Sequence, residues 1–260
     1  MSNLFSLEGQ VAVITGATSG IGLGYAQGLA SANIKQLIIT YRSDKTLNEA
    51  IDAIKEINSK VQIDGIKVDF LEEDEDLLVN KIFEESYKKS ITGIINILIN
   101  NAGITERYQF ENFPQDKFDQ VIKLDLNIPV KLTKKFGSQF LKTQTKGKII
   151  FTASLLSFQG GINSSPYAIA KGGLKQFTQA ISNEWSSRGI RINSIAPGYI
   201  KTKLTKSMSQ DAKDLVDKRI PIGRWGEPKD FWGPIVFLCS DASNYVTGET
   251  LVVDGGWLGR

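Results

Sequence analysis

The sequence contains no histidine and a single cysteine, Cys239. Without histidine there is no Ser-His-Asp triad, no Cys-His pair, no imidazole metal ligand and no imidazole acid/base. With one cysteine there is neither an intramolecular disulfide nor a thiolate zinc cluster, so no metal site is expected. A lone thiol suits a reducing compartment. No apolar run reaches the roughly 18 residues that a membrane-spanning helix needs. Residues 1–10 lack the basic-then-apolar pattern of an export signal. The expectation is a cytoplasmic protein with no membrane partner. An excess of one charge is missing too: 31 Lys+Arg face 28 Asp+Glu, a formal +3. The basic residues (Lys88-Lys89, Lys134-Lys135, Lys201, Lys203, Lys206) are scattered along the chain. Nucleic-acid binders gather such residues on one face, so no nucleic-acid partner is expected.

What is present is ordinary for a globular chain: 260 residues, 41% hydrophobic and 23% charged. That length can bury a sizeable core as one large α/β domain or two small ones. Seven short runs rich in Ile and Val lie at 11–15, 36–40, 65–68, 94–100, 148–152, 191–195 and 250–253. Between them are stretches of helical spacing, such as Ile51, Ile54, Ile57 and Phe177, Ile181, Trp185. The runs lack polar alternation, as do strands covered on both faces. Strand–helix alternation with right-handed crossovers predicts an α/β, doubly wound fold. Its seven-stranded parallel sheet would carry helices on both faces, in the Rossmann manner. No linker is visible, so residues 1–260 are expected to form a single domain, with residues 200–224 as an inserted lid. The acidic run 71–78 reads as the solvated first turn of a helix, favoured by the helix dipole.

The first strand runs into Thr15-Gly16-Ala17-Thr18-Ser19-Gly20-Ile21-Gly22, which opens a helix. This is the context of a dinucleotide site. Gly16 permits the tight turn, Gly20 lets a pyrophosphate approach the backbone, and Gly22 lets helix and strand come close. Thr18, Ser19 and Ile21 complete the cradle, and the helix N-terminus offers free N–H groups and partial positive charge.

Further signals follow in order: Asn100-Asn101-Ala102-Gly103, Asn127, Ser154, Tyr167, Lys171 and Pro197-Gly198. Together with the glycine cradle they resemble the short-chain dehydrogenase/reductase family over nearly the whole chain. Segments 154–162, 195–199, 219–226, 233–238 and 253–258 are similar to its 2-deoxy-D-gluconate 3-dehydrogenase and gluconate 5-dehydrogenase branch. The resemblance implies an oxidoreductase that interconverts a secondary alcohol and a ketone on a sugar acid or sugar-like polar substrate.

A ketone that accepts hydride becomes an alkoxide and needs a proton. In the absence of histidine a tyrosine can donate it, although a free phenol has a pKa of about 10. Lys171 follows Tyr167 by four residues and so shares its helical face. A unit charge at about 4 Å is worth about 4 kcal/mol at an effective dielectric of about 20, enough to bring the phenol towards neutrality. Tyr167 is thus the expected general acid/base and Lys171 its activator and a ribose ligand. In isolation the same spacing also fits an exposed Tyr-Lys pair. Ser154 ends a strand at the sheet edge where ligands bind, and its hydroxyl can donate to the substrate oxygen. The resemblance implies that Asn127 holds a water linking Lys171 to solvent; a locally bonded helix asparagine is the alternative. It also implies that Asn101, Ala102 and Gly103 flank the adenosine ribose and that Asp69 meets the adenine. Pro197, Gly198, Ile200 and Thr202 would fix the carboxamide and pyrophosphate.

Strand two ends in Thr40-Tyr41-Arg42-Ser43, with no acid before Asp44. An NAD site usually has Asp or Glu there for the ribose 2′-OH. Arg42 can grip a 2′-phosphate bidentately and Ser43 can add a hydrogen bond, so NADP(H) is expected over NAD(H). Arg107 is the candidate cation for a substrate carboxylate, and Gln159, Asn163 and Tyr199 are candidates for its hydroxyls. Two positions often basic in this branch are Glu106 and Asn163 here, which keeps neutral ketoses or general carbonyls open as alternative substrates. A non-catalytic dinucleotide-binding sensor is the alternative of another class. The resemblance implies a homotetramer, and the apolar, aromatic segment 251–260 suits an interface or a strand covered within its own subunit.

Overall fold

The seven apolar runs become the strands β1 (Val11–Ile14), β2 (Gln36–Tyr41), β3 (Gln62–Lys67), β4 (Ile97–Asn100), β5 (Lys148–Thr152), β6 (Arg191–Pro197) and β7 (Thr250–Val253) of a computed structural model. The structure describes residues 4–202 and 210–260. All seven strands pair in parallel in one sheet, in the order β3-β2-β1-β4-β5-β6-β7. The helices are α1 (Gly20–Ser31), α2 (Asp44–Lys55), α3 (Glu75–Lys89), α4 (Gln115–Ile122), α5 (Ile128–Thr143), α6 (Ser165–Trp185), α7 (Gln210–Arg219) and α8 (Trp232–Cys239). Among the described residues no helix is long and apolar enough to cross a membrane.

Alternate strand residues enter two cores. Ala12, Ile14, Leu37, Ile39, Ile97 and Ile99 face α1, α2 and α8. Val11, Val13, Ile38, Leu98, Ile149 and Phe151 face α3, α5 and α6. Burial on both faces removes the need for polar alternation, and so the inner strands stand out in the sequence. At the sheet edge β3 starts at Gln62, ahead of the expected 65, because only Ile66 of its six residues is buried. The acidic run behaves as expected. Asp74 caps α3 by accepting from the N–H groups of Asp76 and Leu77 at 2.9 and 3.1 Å. These bonds hold its carboxyl below the usual carboxylate range. Glu75 and Asp76 in turn grip Lys131 of α5 at 2.8 and 2.9 Å.

From β1 the chain builds outward through β2 to β3, then crosses back to place β4 on the other side of β1. That reversal opens a crevice beyond the carboxyl ends of β1 and β4, where open α/β sheets take ligands. Of the expected lid 200–224, residues 203–209, including Lys203 and Lys206, lie outside the described residues. Its described part, with α7, contributes Val216 and Ile220 to a small third core with Leu155, Trp225 and Trp257.

Candidate active site

The strand ends are tied before any ligand is considered. The Thr15 hydroxyl accepts from the N–H groups of Asn101 and Ala102 at 2.9 and 3.0 Å. The Asn101 carboxamide donates to the carbonyls of Thr15 and Gly16 at 3.0 and 3.1 Å, and its oxygen accepts from Thr152 at 3.2 Å. Gly16 N–H donates to Thr40 Oγ1 at 2.9 Å. Four strands therefore share one polar lattice at the crevice floor. Gly16 has φ +66°, and a Cβ there would come within 3.0 Å of Ala102 Cα. A Cβ on Gly22 would lie 2.3 Å from the Gly16 carbonyl and 2.4 Å from Asn101 Nδ2, so only glycine closes this turn. Ser19 stands at the N-cap of α1 without capping it through its side chain. The first-turn N–H groups are thus left to an anion.

A cavity of about 420 Å³ runs from this turn, lined by Thr18, Ser19, Gly20 and Ile21, past Arg42, Asp69, Ala102 and Gly103 to Tyr167 and Lys171. A phosphate cradle at mid-length with polar groups at both ends fits a dinucleotide. Arg42 is exposed at the lip and forms no ion pair among the described residues. Ser43 is exposed at the N-cap of α2 and does not line the cavity. Asp44 is turned to Lys67, 2.8 Å away, and that ammonium holds its carboxyl below the usual range. Asp69 Oδ1 accepts from Leu71 N–H at 3.1 Å while the residue lines the cavity.

At the other end, Pro166 sits in the first turn of α6 and brings Tyr167 and Lys171 in one turn apart. The Lys171 ammonium is buried, donates to the Thr152 carbonyl at 2.9 Å and lies 5.4 Å from the Tyr167 ring centre. Ser154 lines the same cavity wall as Tyr167. The turn after Ser154 is fixed by Leu156 N–H donating to Ser154 Oγ at 3.2 Å and Ser157 Oγ donating to the Lys171 carbonyl at 2.7 Å. Burial pushes the Tyr167 phenol above its ordinary value, with the Lys171 charge opposing. Burial works against the Lys171 ammonium, but the negative groups around it outweigh this and hold its pKa above the ordinary lysine value.

A π-helical turn, Lys123–Asn127, joins α4 to α5. From this turn the Asn127 carboxamide donates to Glu75 Oε1 of α3 at 3.4 Å. The group beside Lys171 is Asp125, fully buried, with Oδ2 3.1 Å from the ammonium. The sequence carried one signal for it: an acid between Leu124 and Leu126.

A second, smaller cavity of about 140 Å³ shares Ile21, Thr152, Tyr167 and Thr202 with the first. Arg107, Ser154, Tyr199, Pro197, Gly198 and Ile200 line it, together with Thr105 and Ser164. Tyr199 is held edge-on by Trp225 and tilted against Trp257, with ring centres 5.5 and 4.7 Å away. Gln159 and Asn163 do not line this cavity. Gln159 follows the short turn after Ser154, its N–H bonded back to Leu155. Asn163 is exposed in a left-handed conformation, φ 58°, with its carbonyl accepting from Tyr108 N–H at 3.0 Å. Ser164 and Thr105 occupy the wall instead. Glu106 does not line the cavity either, so no carboxylate there opposes Arg107.

A phosphate-binding crevice that meets a half-buried Tyr-Ser pair over a buried lysine defines a dinucleotide-dependent oxidoreductase. The sequence profile described as enoyl-(acyl carrier protein) reductase matches residues 16–258. The chain is 41% identical over 262 residues to the 2-dehydro-3-deoxy-D-gluconate 5-dehydrogenase of Pseudoalteromonas atlantica, covering 100% of both. A crystal structure from Agrobacterium tumefaciens assigned to 2-deoxy-D-gluconate 3-dehydrogenase, with bound NADP, superposes with a TM-score of 0.89 at 37% identity, covering 100% of both chains. A gluconate 5-dehydrogenase from Burkholderia cenocepacia in complex with NADP and tartrate superposes with a TM-score of 0.89 at 31% identity, covering 99% of this chain and 98% of that one. The protein belongs to the short-chain dehydrogenase/reductase family and is an oxidoreductase whose relatives include sugar-acid dehydrogenases.

Proposed function

We propose that this enzyme uses NADP(H) in preference to NAD(H) to interconvert a secondary alcohol and a ketone on a sugar acid. The observation that carries this reading is the wall common to the two cavities. Tyr167 and Thr152 line both, with Arg107 at the far side of the smaller one. When bound, a nicotinamide supplies or accepts the hydride at the carbinol carbon. In reduction Tyr167 donates its hydroxyl proton to the substrate oxygen as negative charge develops there, and Ser154 donates a hydrogen bond to the same oxygen. In oxidation Tyr167 accepts the proton back. Lys171 stabilises the phenolate and can reach a ribose hydroxyl. The cradle of Gly16, Thr18, Ser19, Gly20, Ile21 and Gly22 holds the pyrophosphate, Arg42 takes the 2′-phosphate, and Asp69 and Gly103 flank the adenosine end. Arg107 pairs with the substrate carboxylate, and Tyr199 meets a hydroxyl. Both solved relatives named above hold NADP, and one also holds the dicarboxylate tartrate, which supports the two anion assignments.

The same reading takes residues 1–260 as one domain in which residues 200–224 cover the substrate. It takes the active form as a homotetramer, for which β7, with Val252 exposed at the sheet edge, offers a surface. A monomer mass in light scattering would remove that last element. For the chemistry, oxidation of NADPH and NADH is followed against matched keto sugar acids and neutral ketoses. The acids should turn over with NADPH, and Tyr167→Phe should lose about a hundredfold or more in kcat. Arg107→Ala should raise KM for the acids and leave neutral ketoses unchanged. Turnover of neutral ketoses alone, or undiminished turnover by Tyr167→Phe, refutes the assignment.

A further inference from the structure

Asp125 is a buried charged group for which the chemistry above has no use. Its Oδ1 accepts from Ile104 N–H at 2.8 Å. Its Oδ2 has the Lys171 ammonium 3.1 Å away and no aligned hydrogen-bond partner. A Cβ at Gly103 would come within 2.7 Å of that oxygen, so the end of β4 closes over it. The ammonium is thus held from two sides, by the Thr152 carbonyl and by this carboxylate.

We propose that Asp125 is a positioning residue that clamps the Lys171 ammonium beneath Tyr167 and offsets its field at the phenol, so that the Asp125–Lys171 pair, rather than Lys171 alone, sets the pH range of turnover. The proposal rests on the assignment of Tyr167 as the acid/base.

A lone buried ammonium next to the phenol stabilises the phenolate as a full charge. With a carboxylate 3.1 Å from the ammonium, the phenol feels only the difference between two opposite charges. The directions agree. Burial raises the Tyr167 pKa, Lys171 lowers it, and Asp125 raises it again. Burial also raises the Asp125 carboxyl, against the pull of Lys171 and the Ile104 N–H. The other neighbours contribute little that could cancel the pair. Arg107, in the loop after β4, acts on the phenol in the same sense as Lys171. The end of β5 and its turn present the neutral Thr152, Ser154 and Ser157. On the π-helical turn, Lys123 points away to the carbonyls of Leu71 and Glu73. On α4, Lys117 and Asp119 bond Gln120 and Gln115 of their own helix. Ketone reduction, which starts from the phenol, therefore persists into alkaline solution. Alcohol oxidation, which starts from the phenolate, rises only there.

Asp125→Asn tests this because the amide oxygen can still accept from Ile104 N–H while the charge is gone. The first readout is ultraviolet titration of the tyrosinate band without substrate, with Tyr167→Phe subtracted to isolate one residue. The native Tyr167 transition should lie above the ordinary phenol value of about 10. In Asp125→Asn it should fall by about one pH unit or more. The ascending limb of alcohol oxidation should move to lower pH by the same amount. A midpoint that stays or rises in the variant overturns the proposal, as does a uniform loss of activity with no shift of the limb. Should Asp125→Asn fail to fold, the native titration decides: a Tyr167 midpoint at or below about 10 overturns the proposal. Loss of the functional assignment would show differently, as full turnover by Tyr167→Phe with the titration unaffected.

Discussion

Replacing Arg42 by alanine should weaken NADPH and spare NADH. The guanidinium stands exposed at the cavity lip, just past the end of β2. Two unit charges at about 4 Å attract by about 1 kcal/mol at the dielectric of water and about 4 kcal/mol at an effective value of about 20. An exposed arginine belongs near the lower figure. A phosphate monoester carries a charge of about −1.5 to −2 at neutral pH, which roughly doubles it. The expected loss is about 2 kcal/mol, or about 30-fold in Kd. Fluorescence titration of both nucleotides against the native and variant proteins reads the ratio directly. Arg42→Lys should recover part of the loss, keeping the charge without the planar fork. The native preference should also shrink as salt is added, because the pair lies in solvent. Equal weakening of NADH and NADPH, or no change in NADPH, refutes the reasoning. It would mean that the 2′-phosphate is read elsewhere, or that Asp44 leaves Lys67 to meet a ribose hydroxyl.

Gly22→Ala should abolish nucleotide binding and lower Tm, since the added carbon would meet the Gly16 carbonyl at 2.3 Å; unchanged Kd and Tm would show that the turn can relax. Asp230 is held down at about 2, chiefly by bidentate hydrogen bonds from Arg224 at 2.7 and 2.8 Å. A depressed folded-state pKa gives stability that is present above the unfolded carboxylate value of about 3.9 and is lost as pH falls towards about 2. Asp230→Asn should therefore lower Tm at neutral pH and match the native protein near pH 2; a constant gap in Tm across pH would contradict this. Burial pushes the Cys239 thiol up to about 12. Iodoacetamide at neutral pH should label it only when the chain is unfolded, and fast labelling of the native protein would contradict that burial.

How much could be read in advance depended on which residues carried a rule of their own. Gly16 and Gly22 were legible because each fills a place that no other side chain fits, and such places announce themselves by spacing. Tyr167 and Lys171 were legible because a regular helix sets residues four apart on one face. Ser154 was legible because it follows a fully buried strand. Asp125 was missed for the complementary reason. Its place beside Lys171 depends on winding through residues 123–127, and a π-helical turn changes that winding without leaving a period in the sequence. That Gln159 and Asn163 lie off the smaller cavity was not legible, because a loop's direction is set by backbone conformations such as the left-handed Asn163, which polarity does not reveal. The early start of β3 was hidden for a related reason, since an edge strand with Gln62 and Asp64 has one side in water.

The overlooked aspartate has a physical cause, and it bears on how the site works. The cations proposed to read external anions, Arg42 and Arg107, stand exposed at the two rims, where their charge costs little and remains available. The cation at the reaction centre, Lys171, is buried, and a buried charge is costly unless it is paired. The chain meets that requirement from the helix junction between α4 and α5, by winding one turn wide enough to point Asp125 inward. On the same turn the Asn127 carboxamide donates to Glu75. Once Lys171 is buried under Tyr167, some group must answer its charge, and the acid flanked by Leu124 and Leu126 is the residue that the π-helical turn delivers.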